Sequence, residues 1–260
     1  VRIAQNLGID ELANFSKKLN IYQDPDELLS ISLGSAETTL LNLTSAYSSF
    51  VNGGKLISPI IIDRIQDSEG NTIINNENRK CANCDKISFT GKDYPIIEDN
   101  YEQIMSEQTA YQITSILEGA IKRGTGKKLK NLRLNLAGKT GTTNENTDAW
   151  FIGFTSNLVV GVYVCIYNPK LLGKFDFCSK ASLPIFKEFV KKAIKKSDAR
   201  PFKVPKKMTL MVVDPLTGEK AKFNSKNTII EAYKSQNILD GKVLYSDNNR
   251  LDTNNILEFY

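Results

Sequence analysis

The sequence predicts an α/β (α+β) protein in which an antiparallel sheet is flanked by helices. Three apolar runs of strand length follow one another between residues 134 and 167, and their short connections favour antiparallel neighbours. Amphipathic helical patterns with N-cap residues precede and follow these runs. The chain has 260 residues, of which 41% are hydrophobic, so it is long enough to bury a sizeable core in one or two domains.

Two amphipathic helices are predicted before residue 55. The stretch GIDELANFSKKLNI has Asp10 as a candidate N-cap and an apolar face formed by Leu12, Phe15 and Leu19. In the stretch TTLLNLTSAYSSFVNGG, Thr39 is a second candidate N-cap. The helical pattern after it ends at Gly53, the first of the two glycines.

A hairpin, an insertion and a third helix are predicted next. The stretch LISPIIIDRIQDSEGNTIINN predicts two strands around the turn residues 68–71. Residues 76–100 are polar and predict a loop insertion. The stretch SEQTAYQITSILEGAIKRGTG predicts a helix capped by Ser106 and ended by Gly124. Its predicted inward-facing residues are Ala110, Ile113, Leu117, Ala120 and Ile121.

The strands NLAGKTGTT, DAWFIGF and LVVGVYVCIY form the predicted sheet, with a tight turn at 155–157. Pro184 opens a last helix that ends near Ile194 and packs Ile185, Phe189, Val190 and Ile194 inward. After Ala199 the composition becomes rich in proline, lysine and asparagine, and LMVVDPLTGEKAKF predicts a hairpin. We therefore expect a main domain of residues 1–198, with the insertion at 76–100, and a C-terminal extension of residues 199–260.

The composition excludes several classes of chemistry and of partner. The chain has no histidine, so a Ser-His-Asp triad, a Cys-His pair and a histidine-ligated zinc site are impossible within it. Its net charge of +5 is too diffuse to indicate a nucleic-acid partner. The lysines of FKEFVKKAIKK recur at helical spacing and predict a solvated helix face.

The stretch LNLAGKTGTTNENTDAWFIGF contains a Gly-Lys-Thr run with two possible meanings. A phosphate-binding loop needs a glycine five residues before Gly138, and that position is Arg133. The stretch RGTGKK fails in the same way, because Ile121 occupies the corresponding position. The run therefore favours a lysine-based serine acyl-transfer site.

Each residue from Lys139 to Thr142 has a chemical use on a strand that borders such a site. Lys139 supplies a fixed positive charge that can polarise a hydroxyl and stabilise developing negative charge. Thr140 and Thr142 offer hydroxyls to a substrate carboxylate, and the backbone N–H of Thr142 is a candidate oxyanion donor. Gly141 leaves space for an extended substrate beside the strand.

The stretch GKTGTTNENTDAWFIGF resembles the third active-site motif of penicillin-binding proteins. More narrowly, the chain resembles the bifunctional class A enzymes of type 1a from Gram-negative bacteria. Supporting stretches occur in the expected order: VRIAQNLGID, SISLGSAETTLLNLTSAYSSFVNGG, CANCD and RGTGKKL before the motif, and VPKKMTLMVVDPLTGEKA and TIIEAYK after it. The resemblance covers most of the chain and implies the transpeptidase fold, which is serine β-lactamase-like.

Two motifs of that family are missing from this sequence. No serine has a lysine three positions later, so the Ser-x-x-Lys motif with the nucleophile is absent. The Ser-x-Asn matches at Ser225, Ser235 and Ser246 all follow the Lys-Thr-Gly motif, whereas the family places this element before it, and we interpret them as coincidental. We expect the chain to be a C-terminal fragment of a transpeptidase domain, incomplete at its N-terminus.

The resemblance implies that the parent protein is a D,D-transpeptidase that cross-links peptidoglycan by serine acyl transfer on D-Ala-D-Ala stem peptides. It implies stem peptides and a lipid-linked precursor as substrates and β-lactams as inhibitors. It also implies a glycosyltransferase domain and a membrane anchor outside this chain, at the periplasmic face of the bacterial inner membrane. The chain by itself is expected to be inactive.

Two alternatives remain open. A serine β-lactamase or a D,D-carboxypeptidase shares the motif, although neither is expected to carry the CANCD insertion or the VDPLTGEKA tail. A non-catalytic wall-binding remnant would keep only the substrate-recognition strand. The sequence upstream of Val1 distinguishes an enzyme, which has the two missing motifs, from a remnant.

The cysteines give weak evidence for a metal site. Cys81 and Cys84 form a lone Cys-x-x-Cys, with Cys165 and Cys178 far downstream, which is a poor zinc pattern. The resemblance places a similar pair in the insertion, and a local disulfide fits the oxidising periplasm that it implies. Cys165 is expected to pack within its strand, and Trp150 within the core. We predict no cofactor and no metal.

Overall fold

The computed structural model describes residues 1–77, 79–84, 91, 94–142, 148–165, 181–195, 199–222, 225, 227–235, 238–239 and 242–243. Contacts between Cα atoms divide the chain into two compact units, residues 1–105 and 106–260. The predicted boundary at residue 198 stays a prediction. No helix in the described ranges is long and apolar enough to cross a membrane.

Helices form much of the first unit. They are α1 (Arg2–Leu7), α2 (Ile9–Lys18), a 3-10 helix (Leu29–Leu33) and α3 (Leu40–Val51). Gly8 separates α1 from α2, since its φ of 102° is a backbone conformation that glycine adopts without steric cost.

The capping of these helices agrees only in part with the sequence prediction. Thr39 is the N-cap of α3 as predicted, and its side chain accepts a hydrogen bond from the backbone N–H of Asn42 at 3.1 Å. Asp10 is not an N-cap. It lies in the first turn of α2, where its negative charge is favourable near the helix N-terminus. Phe15, predicted to face inward, is 38% exposed, whereas Leu19 is buried as predicted.

Two short hairpins complete the first unit. The predicted strands β1 (Arg64–Gln66) and β2 (Thr72–Asn75) pair antiparallel. Their turn is held by Asp67, whose carboxylate accepts backbone N–H groups from Glu69 and Asn71 at 2.9 and 2.8 Å. A hydrogen bond from the Asn71 side chain contributes most to lowering the pKa of Asp67.

The polar insertion contains the second hairpin, formed by β3 (Cys81–Ala82) and β4 (Ile96–Ile97). Cys81 and Cys84 are joined in the predicted disulfide, with their Cα atoms 5.6 Å apart. This short covalent loop begins at the first residue of β3, so it limits the conformations of the chain where it leaves that strand.

The second unit contains the predicted antiparallel sheet. Its strands are β5 (Ala137–Thr142), β6 (Asp148–Phe154) and β7 (Val159–Cys165), hydrogen-bonded in that order. The predicted turn at 155–157 is confirmed by a hydrogen bond from the backbone N–H of Thr155 to the carbonyl of Leu158, at 2.9 Å.

A helix covers one face of this sheet. Helix α5 (Ser182–Ala193) places the fully buried Phe186 against Phe151 of β6, with ring centroids 4.7 Å apart in an edge-to-face arrangement. Gly153 makes this contact possible, because a Cβ there would lie 2.5 Å from Cζ of Phe186. The buried members of this core are Ile121, Leu129, Leu136, Phe151, Val162, Leu183, Phe186 and Val190.

The inward face of α5 differs from the prediction. Ile185 and Phe189 are 52% and 50% exposed. Val190 is buried as predicted and Ile194 is partly buried against the core, but the other buried residues are Leu183 and Phe186. The sequence offers apolar residues around more than one side of this helix, so periodicity alone does not select the side that meets the sheet.

Helix α4 (Glu107–Lys122) agrees well with its prediction. The Ser106 side chain caps it by accepting from the backbone N–H of Thr109 at 3.2 Å. Ala110, Leu117 and Ile121 are buried as predicted. After α4 the chain turns through residues 123–126 into a 3-10 helix (Lys127–Leu132) that leads to β5.

The C-terminal part forms strand pairs of its own. Strand β8 (Met208–Val213) pairs antiparallel with β9 (Ile229–Lys234), and the short β10 (Ile238–Leu239) pairs with β11 (Lys242–Val243). The predicted hairpin in LMVVDPLTGEKAKF is therefore only partly right. A turn does follow β8, closed by the N–H of Asp214 and the carbonyl of Glu219 at 2.9 Å, but the main partner of β8 is β9.

Two single-residue predictions on the sheet were wrong. Cys165, expected to be packed, is a free and exposed thiol at the end of β7. Trp150 is only partly buried and stacks on Tyr163, with ring centroids 4.3 Å apart. Cys178 lies outside the described residues.

The Ser106 cap can be tested directly. We expect Ser106→Ala to lower the free energy of unfolding by about 1 kcal/mol, because the N–H of Thr109 loses its acceptor. Ser106→Asp keeps an acceptor and adds a favourable charge, so it should retain the stability of the unmodified protein. Thermal unfolding followed by circular dichroism measures both, and equal losses in the two variants would contradict the capping role.

Candidate active site

The residues predicted to act in catalysis lie on β5, at one edge of the sheet. In the part of the chain that the structure describes, β5 pairs with β6 on one side only. Leu136 and Ala137, 2% and 0% exposed, anchor the beginning of the strand in the core. Lys139 is exposed two residues later. The strand therefore passes from the core to an accessible edge within a few residues.

The backbone of Lys139 is held in the sheet, whereas its charged group is at the end of a flexible side chain. Its backbone lies in register with Ile152 of β6, whose side chain is 2% exposed. Its ammonium donates a hydrogen bond to the carbonyl of Thr140 at 2.5 Å. A lysine ammonium has three donors on a flexible stem, so this contact leaves donors for an anionic ligand or for a hydroxyl beside the strand.

Thr140 is paired with a residue that the sequence prediction missed. Its hydroxyl oxygen lies 3.0 Å from the hydroxyl oxygen of Thr125, in the turn after α4. One hydroxyl hydrogen is used between the two residues, and the other can be donated to a ligand oxygen. The stretch RGTG that contains Thr125 belongs to the family resemblance, but no local pattern in it indicates a contact with Thr140.

Two glycines hold the Thr125 turn close to the end of α4. A Cβ at Gly124 would lie 3.0 Å from the carbonyl oxygen of Ala120, and one at Gly126 would lie 2.5 Å from Cδ1 of Ile121. A side chain at Gly124 would press on the backbone of α4, and one at Gly126 would require the Ile121 side chain to move. Thr125 is thus carried by a tight connection between α4 and the strand that bears Lys139.

Gly141 faces an aromatic pair across the sheet. It lies in register with Trp150, which lies in register with Tyr163 of β7. A Cβ at Gly141 would be 3.1 Å from the Cβ of Trp150, so the glycine has a packing role besides the predicted space for substrate. The Tyr163 hydroxyl donates to the carboxylate of Asp148 at 3.0 Å. A hydrogen bond with Cys165, then burial, then Asp148 raise the pKa of Tyr163 above its ordinary value.

Thr142 ends β5 opposite Ala149. Its backbone belongs to the strand, as the oxyanion prediction requires, while its side chain lies outside the described residues. The roles of Lys139, Thr140, Gly141 and Thr142 in catalysis therefore stay predictions. Among the described residues there is no group of three or more cysteine, aspartate or glutamate side chains arranged to hold a metal ion.

This arrangement suits an extended ligand with a negative charge. An edge strand can bind a peptide by strand addition, and its exposed lysine and threonine pair can bind a carboxylate. No serine in the sequence has a lysine three residues later, so the predicted nucleophile motif is absent from it.

Comparisons with known proteins agree with this interpretation. A family model described as "Penicillin binding protein transpeptidase domain" matches residues 1–191. The chain is 42% identical over 241 residues to penicillin-binding protein 1A of Rickettsia prowazekii, covering 92% of this chain and 30% of that protein. It is 28% identical to penicillin-binding protein 1A of Pseudomonas aeruginosa, covering 91% of this chain and 32% of that protein.

A solved structure is also similar. The crystal structure of penicillin-binding protein 1A from Haemophilus influenzae matches with a TM-score of 0.73 and 27% identity, covering 90% of this chain and 38% of that one. The match supports the predicted mixed fold of helices and antiparallel sheet. The chain spans about a third of the length of the curated relatives that it matches.

The two glycines of β5 should respond differently to alanine. At Gly138 a Cβ would meet backbone, 2.8 Å from the carbonyl oxygen of Ile152, so we expect Gly138→Ala to cost about 1–3 kcal/mol of stability. At Gly141 the nearest atom is the Cβ of Trp150 at 3.1 Å, and the loss should be smaller. Denaturant unfolding of both variants measures the order, and a larger loss for Gly141→Ala would contradict it.

Proposed function

Because the chain belongs to the penicillin-binding protein transpeptidase family, we propose that it forms part of an enzyme that cross-links peptidoglycan by serine acyl transfer on D-Ala-D-Ala stem peptides. Its similarity to proteins of type 1A supports the class A assignment predicted from the sequence. The observation that carries the proposal is the exposed Lys139 beside the Thr140–Thr125 hydroxyl pair on an edge strand.

The reaction proceeds in two steps on a serine supplied from outside this chain. The serine oxygen attacks the carbonyl carbon of the penultimate D-Ala, and the amide bond to the terminal D-Ala breaks. The terminal D-Ala leaves as an amine after taking up a proton. An amine of a neighbouring stem then attacks the ester, forms the new amide bond and returns the proton to the serine oxygen.

The residues of β5 have the following roles in this proposal. Lys139 polarises the serine hydroxyl and stabilises negative charge in the transition state. Thr140, with Thr125 behind it, and Thr142 bind the terminal carboxylate of the stem peptide. Gly141 leaves room for the peptide beside the strand, and the N–H of Thr142 donates to the oxyanion. β-Lactams acylate the same serine as mimics of the stem peptide.

The remaining parts of the proposal concern the whole protein. It also carries a peptidoglycan glycosyltransferase domain that uses the lipid-linked precursor, and a membrane anchor, at the periplasmic face of the bacterial inner membrane. Residues 1–198 belong to the transpeptidase domain and residues 199–260 form its C-terminal extension. The disulfide between Cys81 and Cys84 supports an oxidising compartment.

Replacement of Lys139 tests the proposed site. In the protein encoded by the longest reading frame that contains this chain, Lys139→Ala should slow acylation by a fluorescent penicillin about 10²–10³-fold, because a charge that stabilises the transition state is lost. The exposed Lys191 of α5 provides a matched control, and Lys191→Ala should leave the rate unchanged. Equal rates for Lys139→Ala and the unmodified protein would remove Lys139 from the mechanism.

The 260-residue chain expressed by itself should not form a covalent adduct with penicillin. No serine in it has a lysine three residues later, and Ser156 lies in the turn between β6 and β7 without a lysine at helical spacing. The purified chain is incubated with fluorescent penicillin, denatured and examined for retained label, with the longer protein as positive control. A stoichiometric labelled band would show that a nucleophile within this chain has been overlooked.

A further inference from the structure

The C-terminal strand pair β8–β9 packs on helix α4. Met211 and Val213 of β8 and Ala232 of β9 are 8%, 1% and 7% exposed, whereas Leu210, Val212 and Ile230 are about half exposed or more. The pair lies beyond residues 1–191, which match the transpeptidase family. It is nevertheless close to α4, the helix that ends just before Thr125.

Polar contacts tie α4 to this C-terminal part along the length of the helix. Near its beginning, the side-chain amide of Gln108 donates to the carbonyl of Lys206 at 3.0 Å. One turn later, the amide of Gln112 donates to the carbonyl of Ala232 at 3.0 Å. At its C-cap, the guanidinium of Arg123 lies 3.5 Å from the carboxylate of Glu231. These contacts fix both the position of α4 and its rotation about its own axis.

The guanidinium that makes the last of these contacts lies over a glycine of α4. Gly119 is buried inside the helix, where glycine is less favourable than alanine. A Cβ at this position would lie 2.6 Å from the guanidinium nitrogen Nη2 of Arg123. The Arg123 side chain therefore lies back over Gly119 towards Glu231, and any larger residue at position 119 would displace it.

Arg123, the partner of Glu231, is connected directly to the turn that carries Thr125. Arg123 is followed directly by the Gly124-Thr125-Gly126 turn, whose glycines pack against the end of α4. The Thr125 hydroxyl is 3.0 Å from that of Thr140, next to Lys139. A shift of the C-cap would move the Thr125 hydroxyl relative to β5.

We propose that Glu231 and Arg123 are positioning residues for the acyl-transfer site, and that β8–β9 acts as a brace that aligns Thr125 with Thr140 through α4. This inference rests on the proposed function. The ion pair is partly exposed to solvent, with side chains 46% and 26% accessible, and its atoms are 3.5 Å apart, so its contribution to global stability is small. Its effect is instead on the geometry of the carboxylate-binding hydroxyls.

The experiment uses the protein from the longest reading frame and separates binding of a fluorescent penicillin from the acylation step by stopped-flow measurement. We expect Glu231→Gln to weaken binding or slow acylation about three- to fivefold, with an unchanged melting temperature. Glu219→Gln is the matched control, since Glu219 is an exposed carboxylate in the turn after β8 and should have no effect. The charge-swapped pair Arg123→Glu with Glu231→Arg should recover activity relative to either single variant.

Gly119→Ala provides a second test, because we expect it to change stability and acylation in opposite directions. Alanine favours the helix, so the melting temperature should stay equal or rise. Displacement of the Arg123 guanidinium should lower the rate constant of acylation. Equal acylation by Glu231→Gln, Gly119→Ala and the unmodified protein would overturn the brace while leaving the proposed function intact. Absence of labelling in the unmodified protein would overturn the proposed function, and this inference with it.

Discussion

The close approach of Gly138 and Gly153 is the constraint on which the second unit depends. The two glycines lie opposite each other in the register of β5 and β6. A Cβ on Gly138 would meet the backbone of β6, and one on Gly153 would meet the rings of Phe151 and Phe186. The missing side chains give those rings their space, so α5 can pack directly on the sheet. The buried half of β5 is fixed by this packing, and its other half extends to the accessible edge.

Because the core holds β5 at one end, the residues at its other end gain a defined position without being buried themselves. Lys139 is exposed, but its backbone is opposite the buried Ile152. The rigid strand fixes where the flexible lysine side chain begins, and the solvation cost of the charge is low because it stays in contact with water. Such a site needs a second wall to enclose a substrate, which agrees with the absence of a Ser-x-x-Lys motif from this sequence.

Helix α4 connects three otherwise separate features of the second unit. Its buried residues Leu117 and Ile121 face inward, its polar side chains contact the C-terminal strands, and its C-terminal turn carries Thr125. Glycines at positions 119, 124 and 126 each remove a side chain where another group passes closely. The helix thus sets the distance between a distal pair of strands and the hydroxyl groups at the site.

The sequence by itself determined the parts that depend on local chemistry. Hydroxyl side chains before helical apolar patterns predicted the N-caps Thr39 and Ser106. Apolar runs of strand length, separated by short connections, predicted β5, β6 and β7. The run from Lys139 to Thr142 indicated a candidate site strand and, together with the surrounding stretches, the family. These features depend only on residues that are close together in the chain, so a single sequence is enough to predict them.

The tertiary structure alone decided which surfaces meet. Helix α5 has apolar residues on several sides, and only the space beside Gly153 selects Phe186 over Ile185 and Phe189. The pairing of β8 along its whole length with β9, beyond the short bridge across its own turn, joins residues distant in sequence, as does the contact of Thr125 with Thr140. Cys165 has an apolar neighbourhood in the sequence but ends exposed at the rim of the sheet. Each outcome follows from packing between elements, which periodicity within one element does not encode.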